Sequence, residues 1–160
     1  MRKKHGWTLL EMIVTIAVTS IFFTMVFSVI SSLISNYKAT ERLNKADDEM
    51  SLLMQIFQST VDSYNSEGYM INFVGEENKI LELVVDLEEE QTVFKIDTEE
   101  SKTRIKYQSA SATSPQTLNL DYIETIVIEK HNSKLLLMEI TAQNRTRQVV
   151  VMVVGGIRTK

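Results

Sequence analysis

A chain of 160 residues with 44% hydrophobic side chains has room for one compact domain and an appendage. Its formal charge of −4 falls to about −7 once Arg2, Lys3 and Lys4 are set aside, a balance that disfavours binding to phosphate backbones. Arg145 with Arg147, and Arg158 with Lys160, are too sparse for a basic patch, so no direct nucleic-acid partner is expected. Without cysteine, the chain has no disulfide, thiolate metal site or cysteine nucleophile.

The apolar residues are unevenly spread. Between Met12 and Ile34 there is no Asp, Glu, Lys, Arg, His, Pro or Gly. The run Trp7 to Ile34 predicts a helix of about 42 Å at about 1.5 Å per residue, longer than the hydrocarbon layer it would cross. Arg2, Lys3 and Lys4 directly before it place the N-terminus in the cytoplasm and everything after Tyr37 outside. An ordinary secretory signal has a shorter apolar core and ends in small residues, which are not found near Ile34. Here a glycine stands between the basic leader and the apolar run, so cleavage at that point would retain the helix as a new N-terminus.

The residues at that junction carry a resemblance. Gly6-Trp7-Thr8-Leu9-Leu10-Glu11-Met12 is similar to the prepilin motif of type IV pilins and type II secretion pseudopilins. The resemblance implies cleavage between Gly6 and Trp7 by a membrane prepilin peptidase, which also methylates the new amino terminus of Trp7. Tryptophan stands where phenylalanine is usual, a departure that keeps size and aromatic character. Energetics single out Glu11 independently, because a carboxylate in an otherwise apolar helix costs about 3 kcal/mol or more in a bilayer. The freed amine of Trp7 on an adjacent subunit is a candidate partner, giving a register signal for helix docking. The alternative is a carboxylate snorkelling to the interface. Thr8, Glu11, Thr15 and Thr19 share one helical face, and Thr24, Ser28, Ser31 and Ser35 repeat the spacing. These small polar residues either admit close helix packing or bond their own backbone.

Beyond Tyr37 the helix is expected to continue as an amphipathic segment to about Ser63, roughly 85 Å in all. Leu43, Ala46, Met50, Leu53, Phe57 and Val61 form its apolar stripe, while Glu41, Arg42, Lys45, Asp47, Asp48 and Glu49 form its solvated face. Met50 and Met54 read as core fillers. Gly68, preceded by Asn65 and Ser66, closes the pattern.

Strands are predicted at Ile80–Asp86, Thr92–Ile96, Thr103–Gln108, Ile123–Lys130, Lys134–Thr141 and Thr146–Val154. Glu88-Glu89-Glu90, Asp97 to Ser101 and His131-Asn132-Ser133 supply the hairpin turns, and Ser109 to Gln116 forms a surface loop. Gly155-Gly156 closes the last strand. The predicted fold is α+β: one long N-terminal helix packed on a C-terminal antiparallel β-sheet, pilin-like. The divisions are 1–6 leader, 7–35 hydrophobic helix, 36–64 amphipathic continuation and 65–160 β-rich head. Leu120 to Ile128 followed by Lys134 to Thr141 looks like the late strands of minor pilins and pseudopilins of the J type or the competence F type.

No catalytic set emerges. His5 and His131 are the two histidines, the glycines form no phosphate loop, and the acidic runs Glu76-Glu77 and Glu88-Glu89-Glu90 lack calcium-loop spacing. No enzyme activity, cofactor or metal is expected. The resemblance implies a structural subunit of a type IV pilus-like filament, held in the cytoplasmic membrane and assembled for secretion, adhesion, motility or DNA uptake. Its partners would be the prepilin peptidase, other pilin or pseudopilin subunits, membrane lipid and, indirectly, an assembly platform protein and ATPase. A competing reading is a signal-anchored membrane protein whose outer domain binds a ligand or partner.

Overall fold

The computed structural model describes residues 8–76, 79–86, 90–99 and 102–159. Helix α1 runs Leu9–Glu67 and is followed by β1 (Ile71–Glu76), β2 (Lys79–Asp86), β3 (Glu90–Glu99), β4 (Lys102–Tyr107), β5 (Gln116–Leu120), β6 (Thr125–Lys130), β7 (Leu135–Ala142), β8 (Arg145–Met152) and β9 (Ile157–Thr159). The chain divides into two units, residues 1–42 and 43–160. The α+β architecture expected from the sequence is present.

In the first unit the described residues are helical from Leu9 onward, and their large apolar side chains are exposed. The segment is long and apolar enough to cross a membrane, with none of its apolar window buried. It has no Gly or Pro to interrupt it.

In the second unit the same helix buries one stripe. Ala46, Met50, Leu53, Phe57, Val61 and Tyr64 recur every three or four residues and are fully enclosed. They join one core with Ile71, Leu83, Phe94 and Ile105 from one sheet and Ile128, Leu136, Met138, Ile140 and Val151 from another. Phe57 meets Phe94 edge-on, with ring centroids 5.2 Å apart. The helix ends in a Schellman motif. Gly68 adopts φ 76°, its N–H donates to Asn65 O, and the Tyr69 N–H donates to Tyr64 O, both at 3.2 Å. The Tyr64 and Tyr69 rings pack 6.1 Å apart across that turn, carrying the helix one turn past the expected Ser63.

The head contains two sheets where one was expected. A six-stranded sheet has the order β5-β4-β3-β2-β1-β9, and a three-stranded sheet the order β6-β7-β8. Neighbours pair antiparallel except β1 and β9, which run parallel. Three strands were not anticipated. β5 is mostly polar (Gln-Thr-Leu-Asn-Leu), β1 carries a bulge at Val74/Gly75, and β9 has three residues, so none shows sustained apolar alternation. β3 extends through Asp97–Glu99, which the sequence reading gave to a turn, and Glu90 is also in β3. Glu88, Glu89, Glu100 and Ser101 lie outside the described residues. β6 starts at Thr125 and β8 stops at Met152, both shorter than expected. The β6–β7 hairpin turns at His131-Asn132-Ser133 as expected, with the His131 N–H donating to Leu135 O at 2.9 Å.

Candidate processing and assembly site

Helix α1 begins with a reciprocal cap. The Thr8 N–H donates to Glu11 Oε2 at 3.0 Å, the Thr8 hydroxyl reaches the same oxygen at 3.3 Å, and the Glu11 N–H donates to Thr8 Oγ1 at 3.3 Å. This is a capping box, in which the side chains at the first helical turn satisfy donors that have no intrahelical acceptor. A carboxylate there also complements the positive end of the helix dipole. The structure therefore gives Glu11 a local role in starting the helix. Thr8 acts with it, a pairing that the sequence reading did not draw although Thr-x-x-Glu is the spacing of a capping box. Gly6 and Trp7, the expected cleavage and methylation residues, lie outside the described residues.

Along the apolar helix the hydroxyls of Thr15, Ser20 and Thr24 turn to their own backbone. Thr15 Oγ1 donates to Glu11 O at 2.7 Å, Ser20 Oγ to Ile16 O at 2.7 Å and Thr24 Oγ1 to Ser20 O at 2.8 Å. Of the two readings of the small polar face, the structure displays back-bonding at these positions. At these positions the bond removes a donor that lipid could not satisfy.

In the second unit the polar side of α1 is tied to the sheets. Asp47 accepts from Arg145 at 2.6 Å and lies 3.4 Å from Arg147, whose other nitrogen donates to Ser51 at 2.9 Å. Glu49 accepts the backbone N–H groups of Asp121 and Tyr122 at 3.2 and 2.9 Å, holding the segment that leads from one sheet to the other. Asn65 donates to Met152 O at 2.7 Å and accepts from the Val154 N–H at 2.8 Å. Its amide imitates a paired strand at the end of β8, blunting an edge that would otherwise invite pairing. Asp47 and Glu49 were assigned to a solvated face, and no local spacing reveals donors about 70 to 100 residues away.

Among the described residues no group of three His, Cys, Asp or Glu side chains is placed to hold a metal ion. The polar groups of the head instead secure helix to sheet.

Residues 1–27 match the family described as the prokaryotic N-terminal methylation motif. That match spans the basic leader, Gly6, Trp7, the Thr8–Glu11 cap and most of the apolar run, and supports a type IV pilin or pseudopilin processed by prepilin peptidase. It does not extend into the head. No curated protein and no solved structure matches the chain.

Proposed function

We propose that the chain is a structural subunit, a minor pilin or pseudopilin, of a type IV pilus-like filament. The observation that carries this reading is the methylation motif lying directly ahead of an apolar helix whose surface has no cover of its own. Prepilin peptidase cuts between Gly6 and Trp7, Trp7 is methylated, and the helix remains in the cytoplasmic membrane with the head outside until assembly. Platform protein and ATPase then move the subunit into a filament alongside other subunits. The late strands favour the J type or the competence F type.

In this reading Glu11 has two tasks. Through Oε2 it caps the helix by way of Thr8, and in the filament it meets the freed amine of Trp7 on an adjacent subunit. Methylation retains the positive charge, and exclusion of water strengthens the pair. Replacing Glu11 with Gln keeps an acceptor for the cap but removes the charge, whereas Ala removes both. The expected outcome is that both variants are cleaved while incorporation into sheared filaments falls at least about tenfold, the scale of one lost charge pair. Incorporation of Glu11→Gln at the wild-type level would remove the pairing role and leave the cap.

A further inference from the structure

Among the described residues, only hydrogen bonding fixes where α1 begins. Leu9 and Leu10 are 81% and 71% exposed, so packing does not hold the first turn. Thr8 holds it instead. Its carbonyl accepts the first helical bond, from the Met12 N–H at 3.2 Å. Its Oγ1 accepts the Glu11 N–H at 3.3 Å, and its own N–H donates to Glu11 Oε2 at 3.0 Å. These are the marks of an N-cap residue, and they give the helix one defined first residue, Leu9.

In the chain, the Gly6–Trp7 bond stands just ahead of that cap, and the uncharged run Met12 to Ile34 follows just behind it. A run of that length and composition settles in the hydrocarbon, so the start of the helix and its depth in the membrane are tied together. Moving the first helical residue by one position shifts what precedes it by about 1.5 Å along the axis and about 100° around it. Bond cleavage tolerates little such error, since a displacement of about 1 Å can cost about a hundredfold in rate. A helix that begins in one place presents one geometry to a membrane peptidase, whereas one that begins in several presents a mixture.

We propose that Thr8 is a positioning residue for processing: its cap sets the offset of the Gly6–Trp7 bond from the membrane span, and so the share of precursor that meets prepilin peptidase in a cleavable register. The inference rests on the processing reading above and adds a residue to it. One half of the cap is independent of the Glu11 side chain, because Thr8 Oγ1 accepts from the Glu11 backbone. Glu11→Gln and Glu11→Ala keep that half, and cleavage with it. The competing role for Thr8 is direct recognition of its side chain by the peptidase.

The two roles make different demands on the side chain. A cap needs a short oxygen acceptor, which Ser and Asn supply and Ala and Val do not. Recognition needs the shape, which Val keeps and Asn does not. All these substitutions stand far from the head core, whose first helical member is Ala46, so folding of the head does not enter the comparison. The full precursor and its Thr8→Val, Thr8→Ala, Thr8→Ser and Thr8→Asn variants are mixed in membranes with the cognate prepilin peptidase, and conversion is timed by intact mass. The expected result is a rate about fivefold lower for Val and Ala, with Ser and Asn within about twofold of wild type. Thr8→Val cleaved at the wild-type rate overturns the positioning role. Thr8→Asn cleaved as slowly as Thr8→Ala also overturns it and assigns Thr8 to direct recognition. Either result leaves the processing reading standing, whereas a wild-type precursor that stays uncut overturns both.

Discussion

The two halves of helix α1 both carry large apolar side chains and treat them oppositely. Phe22, Phe23 and Phe27 are 61%, 53% and 65% exposed, whereas Phe57 is 0% exposed. In the second half Ala46, Met50, Leu53, Phe57, Val61 and Tyr64 form a stripe that two sheets cover, and each large side chain so enclosed contributes about 1.5–3 kcal/mol. In the first half the apolar side chains surround the helix, no element of the same unit covers them, and the Thr15, Ser20 and Thr24 hydroxyls bond their own backbone. The difference teaches that helix propensity alone says little about environment. The angular distribution of apolar residues decides whether a helix seeks a fold of its own or a lipid and partner surface.

That contrast can be broken most sharply with paired substitutions. Phe57→Ala removes a ring packed on Phe94 and is expected to destabilise the head by about 3–5 kcal/mol. Phe23→Ala is expected to leave head stability within about 0.5 kcal/mol of wild type. Chemical unfolding of both full-length variants in detergent, followed by sheet circular dichroism, compares them directly. Equal losses would mean that the two halves are not separate environments.

A smaller effect is expected where the end of the chain packs on the end of the helix. A Cβ at Gly155 would lie 2.6 Å from the Tyr69 carbonyl oxygen, so backbone must shift to admit it. Gly155→Ala is expected to cost about 1–3 kcal/mol in the same unfolding measurement.

The smallest change, and one of opposite sign, is expected at Tyr64. Its ring is buried, and its hydroxyl has no hydrogen-bond partner among the described residues. Burial, and secondarily the neighbouring Tyr69, push its pKa above the ordinary 10.0. The folded state holds the phenol proton more tightly than the unfolded state, so this contribution is complete below that ordinary value and is lost as pH rises above it. Tyr64→Phe is expected to match or exceed wild-type stability by up to about 1 kcal/mol at neutral pH. Its stability should also fall less steeply above pH 10, as unfolding titrations at alkaline pH would show.

Much of this division was legible in the sequence. The uncharged run from Met12 to Ile34 announced the first environment, and the spacing of Ala46, Met50, Leu53, Phe57 and Val61 announced the second. Six strands were recognisable because their apolar residues repeat. β1, β5 and β9 were not, because a bulged strand, a polar edge strand and a three-residue strand show no sustained apolar alternation. The split into two sheets was equally hidden, since it depends on contacts such as Glu49 with the Asp121 and Tyr122 amides. At the N-terminus, the Thr8 and Glu11 letters were visible as a motif, but their reciprocal hydrogen bonding emerged only from the geometry. The partner proposed for Glu11 belongs to another molecule and leaves no mark in one chain.

The central claim is that the apolar helix is released as a new N-terminus, and intact mass measurement of the chain recovered from membranes containing its prepilin peptidase tests it most directly. The expected product begins at Trp7 and carries one added methyl group. A chain recovered under those conditions with residues before Trp7 still attached would contradict the account.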